Sequence, residues 1–143
     1  MDEIGKVGRI LGTPGDDRIS GPIFGHRLAD DSTTFVDFIF GQGGNDTLKG
    51  GGDRDILFGG KGADGFVFAF DADLDRIKDF DANGKDKDRI DLTGYNLSLL
   101  QQVTMRETKR DTLLTTIETD LFGPNRIGVD NQTEDAVRDL ILI

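Results

Sequence analysis

The 143-residue sequence contains no cysteine and no tryptophan, one histidine (His26), one tyrosine (Tyr95) and three prolines. Without cysteine, neither a disulfide framework nor a zinc–cysteine site can hold the chain together. Glutamate is scarce too: four of the 27 acidic residues are Glu and the other 23 are Asp. Either acid would serve solubility, so the bias toward the short carboxylate points to turn chemistry, metal chemistry or both. A net charge of −10 argues against nucleic acid as a partner, because phosphate backbones are bound by grouped Lys and Arg. No apolar run nears the ~18 residues of a membrane span. The opening stretch MDEIGKVGRILGTPGDD lacks the apolar core of about 7–15 residues that marks a cleaved secretory leader, so that export route is not expected. No H-E-x-x-H, G-x-S-x-G or phosphate-binding loop occurs and His26 stands alone, so no catalysis by this chain is expected. Length and composition fit one globular domain, expected as a monomer.

Glycine, in contrast, is abundant and falls on a beat. Residues 41–67 read GQGGNDTLK, GGGDRDILF, GGKGADGFV, and Gly12–Ser20 (GTPGDDRIS) is a further copy. STTFVDFIF (32–40) keeps Asp37 and Ile39 in phase but has lost its glycines. Every unit ends in Asp, any residue, apolar, any residue, so Asp46, Asp55 and Asp64 march in register with Leu48, Leu57 and Phe66. A helix face recurs at 3.6 residues and a plain strand at 2, and each glycine would cost a helix about 1 kcal/mol. The period of nine therefore reads as a six-residue turn followed by a three-residue strand, too short to survive alone. Stacking solves this: two units make a coil of about eighteen residues, turns lie over turns, and the apolar residues point inward.

That stacking places Asp46 over Asp64 and Asp37 over Asp55. Carboxylates so close repel unless a cation sits between them. A donor set of Asp oxygens and turn carbonyls, without His or Cys, suits a hard cation, and a flexible cage of many oxygens suits Ca²⁺ better than Mg²⁺.

These units resemble the RTX (hemolysin-type) calcium-binding nonapeptide repeat, G-G-x-G-x-D-x-U-x. GGKGADGFV matches every defined position, whereas Gln42 and Thr13 replace the second glycine and Asp53 stands at the fourth position, where the motif has its third glycine. The resemblance implies an all-β parallel β-roll. By the eighteen-residue step, one site joins turns 41–46 and 59–64, with Asp46 and Asp64 as side-chain ligands and Gly41, Gly43, Gly44, Gly59, Lys61 and Gly62 in the ligand-bearing turns. A second joins turn 50–55 (Gly50, Gly52, Asp53, Asp55) to Asp73, with Asp71 nearby, and a third uses Asp37 and Asp55. About two to four calcium ions are expected in all. The segment GPIFGHRLADD (21–31) reads as an irregular excursion, and metal binding by Asp17 or by Asp30 and Asp31 stays open. Asp75 reads as a solvated turn residue. DFDANG (79–84) starts like an EF-hand loop, but its twelfth position is Ile90, so it reads as a turn between strands.

Downstream, Asp75, Ile77, Asp79 and Phe80, then Asp88, Ile90, Asp91 and Leu92, resemble the D-x-I-x-D-F and D-x-I-D-L sequences that close the roll in serralysin-type proteases and alginate epimerase R-modules. DTLLTTIE (111–118) and NRIGVD (125–130) read as antiparallel strands capping the roll, Thr133 as the cap of a short helix, and Asp139–Ile143 as a final strand. Repeats are expected over about 12–73 and the cap over about 74–143 of a single domain. The resemblance also implies an uncleaved C-terminal signal read by type I secretion machinery, and extracellular calcium that folds the chain after export. A second implied reading is an accessory module binding an anionic polysaccharide such as alginate, with Lys49, Arg54 and Lys61 as candidate contacts.

Overall fold

The computed structural model describes residues 7–21, 36–52, 54–68, 74–95, 103–109, 111–116 and 126–143; His26, Asp30, Asp31, Asp53, Asp71 and Asp73 lie outside them. Short strands, most of them Asp-x-apolar-x tails, turn the apolar residue of the tail inward. On one side these strands are β2 (Arg18–Ser20), β4 (Thr47–Lys49), β6 (Gly65–Val67) and β8 (Arg89–Asp91). On the other they are β1 (Val7–Leu11), β3 (Val36–Gly43), β5 (Ile56–Lys61) and β7 (Leu74–Ile77). The chain alternates between the two sides, so each set pairs in parallel, β1-β3-β5-β7 and β2-β4-β6-β8, and the two sheets face each other as a parallel β-roll. Ile39, Leu57 and Ile77 from the first sheet and Leu48, Phe66 and Ile90 from the second are fully buried between them.

The register shows where the repeat is regular. Phe38 pairs with Ile56 and Thr47 with Gly65, one coil of eighteen residues. Arg18 pairs with Thr47 and Val7 with Val36, a step of 29, so eleven extra residues, the length of GPIFGHRLADD, fall between β2 and β3. Ile56 pairs with Arg76 and Gly65 with Arg89, steps of 20 and 24.

Beyond β7 the first sheet continues through β11 (Arg126–Asp130), parallel to β7, then through the antiparallel strands β10 (Asp111–Thr116) and β9 (Val103–Glu107). Val103, Ile127 and Val129 are buried and extend the core past the last glycine repeat. A helix, α1 (Glu134–Arg138), starts at Thr133, whose hydroxyl accepts from Ala136 N at 3.3 Å while Glu134 and Asp135 occupy the favourable first turn. The terminal β12 (Ile141–Leu142) pairs in parallel with β8, although Leu142 and Ile143 stay largely exposed.

Not every apolar residue of the repeats points inward. Strand alternation sends the neighbours of Ile39 and Leu57 outward, and because these neighbours are Phe38, Phe40, Ile56 and Phe58, the outer face of the first sheet carries a half-buried apolar stripe. Phe40 and Phe58 stack at 4.7 Å, with the Arg9 guanidinium 5.3 Å from the Phe40 ring centre.

Candidate metal centre

At some glycines the turns stack too closely for a side chain. A Cβ on Gly62, whose φ is +119°, would sit 2.0 Å from the Gly44 carbonyl oxygen of the turn below. The glycine that opens each turn has a different reason. A Cβ on Gly41 would meet Asp46 Oδ2 at 2.2 Å, and one on Gly59 would meet Asp64 Oδ2 at 2.3 Å. Each aspartate thus folds back across its own turn and occupies the volume that the first glycine leaves vacant.

The other carboxylate oxygen reaches along the stack. Asp17 N donates to Asp46 Oδ1 at 2.9 Å, Asp46 N to Asp64 Oδ1 at 2.8 Å and Asp64 N to Asp88 Oδ1 at 2.9 Å. On the opposite edge Asp37 N donates to Asp55 Oδ1 at 3.1 Å and Asp55 N to Asp75 Oδ1 at 2.8 Å. These N–H groups offset part of the crowding between carboxylates, but only at Oδ1. Asp46 Oδ2 and Asp64 Oδ2 are buried and accept no hydrogen bond among the described residues. Burial pushes both carboxyls above the usual range. At Asp64 it is opposed by the Asp46 N–H and reinforced by the charges of Asp46 and Asp79; at Asp46 it is opposed by the Asp17 N–H and reinforced by Asp17 and Asp16.

A profile of the RTX calcium-binding nonapeptide repeat, four copies, matches residues 31–66. Residues 31–66 are RTX repeats. No curated protein sequence matches the chain. Among solved structures, the AlgE6R3 subunit of the mannuronan C5-epimerase of Azotobacter vinelandii is 25% identical at a TM-score of 0.65, covering 99% of this chain and 80% of that one. The AlgE6R2 subunit of the same enzyme is 27% identical at a TM-score of 0.60, covering 94% of this chain and 91% of that one. The RTX β-roll is the fold that these subunits share with this chain.

RTX nonapeptide repeats bind calcium. The described turns fit such an ion: two buried carboxylate oxygens lack donors, the neighbouring groups are carbonyls, and every ligand available is oxygen. No three acidic or histidine side chains converge among the described residues, so turn carbonyls would supply most of the cage. The structure brings turns 41–46 and 59–64 together, with Gly41, Gly43, Gly44 and Asp46 stacked on Gly59, Lys61, Gly62 and Asp64. Of turn 50–55, Gly50, Gly52 and Asp55 are described and Asp53 is not; Asp37 lies beneath Asp55.

Asp55 N donates to Asp75 Oδ1, two residues beyond the position that the eighteen-residue step picks. The coil runs two residues longer here, and Asp75, far from solvated, is fully buried. The tail Asp75-Arg-Ile77 carried the signal, because it repeats Asp55-Ile-Leu57 while the glycine count does not. Asp71 and Asp73 lie outside the described residues.

Three further residues join the stack without having been expected there. Asp79 accepts from Gly59 N at 2.9 Å and Gly60 N at 3.0 Å, closing turn 59–64 from above. Asp88 takes Asp64 N and also Asp81 N at 2.7 Å; burial pushes its carboxyl up to about 7 against those two N–H bonds. Asn45, at a position the repeat leaves undefined, accepts from Ala63 N at 2.9 Å while its own N–H donates to Asp16 Oδ1 at 2.7 Å. DFDANG forms the turn between β7 and β8: Asp81 Oδ1 accepts from Asn83 N and Gly84 takes a φ of +79°.

On the outer face of the second sheet, Thr47 and Gly65 form the floor of an open trough of about 730 Å³. Arg18 and Arg89 stand in the same cross-strand row as that floor, and Lys85 and Lys87 come from the β7–β8 connection. Four cations thus gather there in a chain whose net charge is −10, beside Asp46, Asp64 and Asp91, which line the trough as well. Lys49, Arg54 and Lys61, the basic residues singled out in the sequence, do not line it.

Proposed function

We propose that this chain is a calcium-dependent folding module of a secreted protein, a single domain with repeats over about 12–73 and a closing part over about 74–143. The observation that carries this reading is the buried pair Asp46 Oδ2 and Asp64 Oδ2, each without a donor among the described residues. Asp46 and Asp64 would hold one ion together with the carbonyls of turns 41–46 and 59–64; Asp37, Asp55 and turn 50–55 would serve a second edge, for about two to four ions in all. Bound calcium supplies the positive charge that these desolvated carboxylates lack. Without it the chain must order glycine-rich turns around one core side chain per nine residues while its carboxylates repel, and it stays extended enough to be threaded through an export channel. RTX repeat proteins are typically exported by type I secretion, the route that this reading adopts. Sites with dissociation constants of about 10⁻⁴–10⁻³ M would fill only at extracellular calcium. Circular dichroism during a calcium titration tests the reading: β structure should appear near millimolar calcium and not with magnesium, and full structure in excess chelator would refute it.

The trough favours a second activity, binding of an anionic polysaccharide. The similar subunits belong to a mannuronan epimerase, and Arg18, Lys85, Lys87 and Arg89 offer spaced cations to a carboxylated chain. At fixed saturating calcium, oligomannuronate should bind the unaltered chain and lose most of its affinity for the double variant Lys85→Glu, Lys87→Glu. Equal binding to both would remove the trough as the site.

A further inference from the structure

Turns 12–17 and 41–46 stack as turns 41–46 and 59–64 do, but their donors differ. Gln42 stands where the repeat has its second glycine and keeps the left-handed backbone, φ +81°, which costs a side-chain-bearing residue roughly 1–2 kcal/mol. Its Nε2 donates to the Gly12 carbonyl oxygen of the turn beneath. In the next turn up, the equivalent residue is Gly60, which has no side chain to offer. Thr13, at the second-glycine position of its own turn, is equally distinctive: its backbone N–H and its hydroxyl donate to Asp17 Oδ2 at 2.5 and 3.0 Å. The corresponding oxygens of Asp46 and Asp64 have no donor among the described residues. Asn45 N to Asp16 Oδ1 adds a further bond between the two turns.

We infer that turns 12–17 and 41–46 form a metal-free rung, in which Gln42 and Thr13 donate hydrogen bonds to the Gly12 carbonyl and to Asp17 Oδ2, the counterparts of oxygens that calcium requires between turns 41–46 and 59–64. This rests on the calcium reading above. A cation and an N–H compete for the same lone pairs, and the Gln42 amide hydrogens direct positive charge into the gap between the turns. The backbone strain at Gln42 is offset by the bond its side chain makes, which explains a glutamine at a glycine position. On this edge the calcium ladder then ends at turn 41–46, and turn 12–17 is joined to it by hydrogen bonds that do not depend on calcium.

Calcium counted by equilibrium dialysis on the full chain, in the unaltered protein and in Asp17→Asn, Gln42→Glu and Asp64→Asn, tests this. Asp17→Asn keeps an acceptor for Thr13 and should leave the count unchanged. Gln42→Glu replaces the amide with a carboxylate and should add one ion; Asp64→Asn should remove one. Loss of an ion in Asp17→Asn overturns the inference, and so does an unchanged count in Gln42→Glu. If Asp64→Asn loses none, the calcium reading itself fails, a result the other two variants cannot produce.

Discussion

Asp64 and Asp130 are both buried aspartates in this fold, and their surroundings differ in one respect. Asp64, in the repeat half, has a backbone N–H on Oδ1 and no donor on Oδ2 among the described residues. Asp130, in the closing half, accepts from Arg76 Nε at 3.0 Å, from Arg76 Nη2 and from Lys78 Nζ, and Arg76 reaches on to Asp111 at 2.9 Å. Those bonds to Asp130 hold the guanidinium even further above its high ordinary range. Asp130 thus has its counter-charges in the sequence, whereas no Lys or Arg reaches Asp64 among the described residues.

The comparison can be broken most severely at Gly62. Gly62→Ala should cost about 2–5 kcal/mol at any calcium concentration, because Cβ meets the Gly44 carbonyl and the backbone is left-handed; urea unfolding in saturating calcium measures it. Asp64→Ala sharpens the contrast. In calcium it should lose about 1–3 kcal/mol with the acceptor for Asp46 N and raise the calcium midpoint for folding, whereas in chelator it should cost nothing. Arg76→Met should behave oppositely. Arg76 is partly exposed, so the loss is about 1–2 kcal/mol, and the calcium midpoint should shift no more than that loss requires.

The smallest effect is one of pH. In the folded chain without calcium, the carboxyls of Asp46, Asp64, Asp79 and Asp88 are raised, Asp88 to about 7, from an ordinary 3.8. The folded state therefore binds more protons than the unfolded one, and stability falls as pH rises from about 4 to about 7. Acidifying the chelated chain from pH 7 to pH 5 should recover some β structure by circular dichroism; a further loss of structure would contradict the sign of these shifts.

Much of the roll was legible because one local rule carries it. The tail Asp-x-apolar-x places a carboxylate on the rim and one side chain in the core, so Ile39, Leu48, Leu57 and Phe66 could be read as core from spacing alone. Counting by eighteen failed wherever the chain lengthens between tails. It did not reach Asp75 as the acceptor for Asp55 N, and it could not foresee that Asp17 would meet Asp46 across 29 residues. Asp88 repeats the tail as Asp88-Arg-Ile90 and was readable in principle, but Asp79 was not, since it acts by receiving N–H groups from a turn twenty residues earlier. The outward stripe of Phe38, Phe40 and Phe58 and the strands β1 and β9 escaped notice because nothing in the nine-residue beat marks them. The antiparallel strands 111–116 and 126–130 were recognisable as strands, yet the parallel joining of β11 to β7 is a long-range choice that no local pattern encodes.

The most direct measurement is amide hydrogen exchange at Asp46 and Asp64, whose N–H groups are held by the carboxylates of the next coil. The account predicts strong protection in millimolar calcium and exchange at the rate of an unstructured chain in chelator at pH 7. Equal protection in both solutions would mean that the repeat half needs no external cation, and the contrast with Asp130 would be lost.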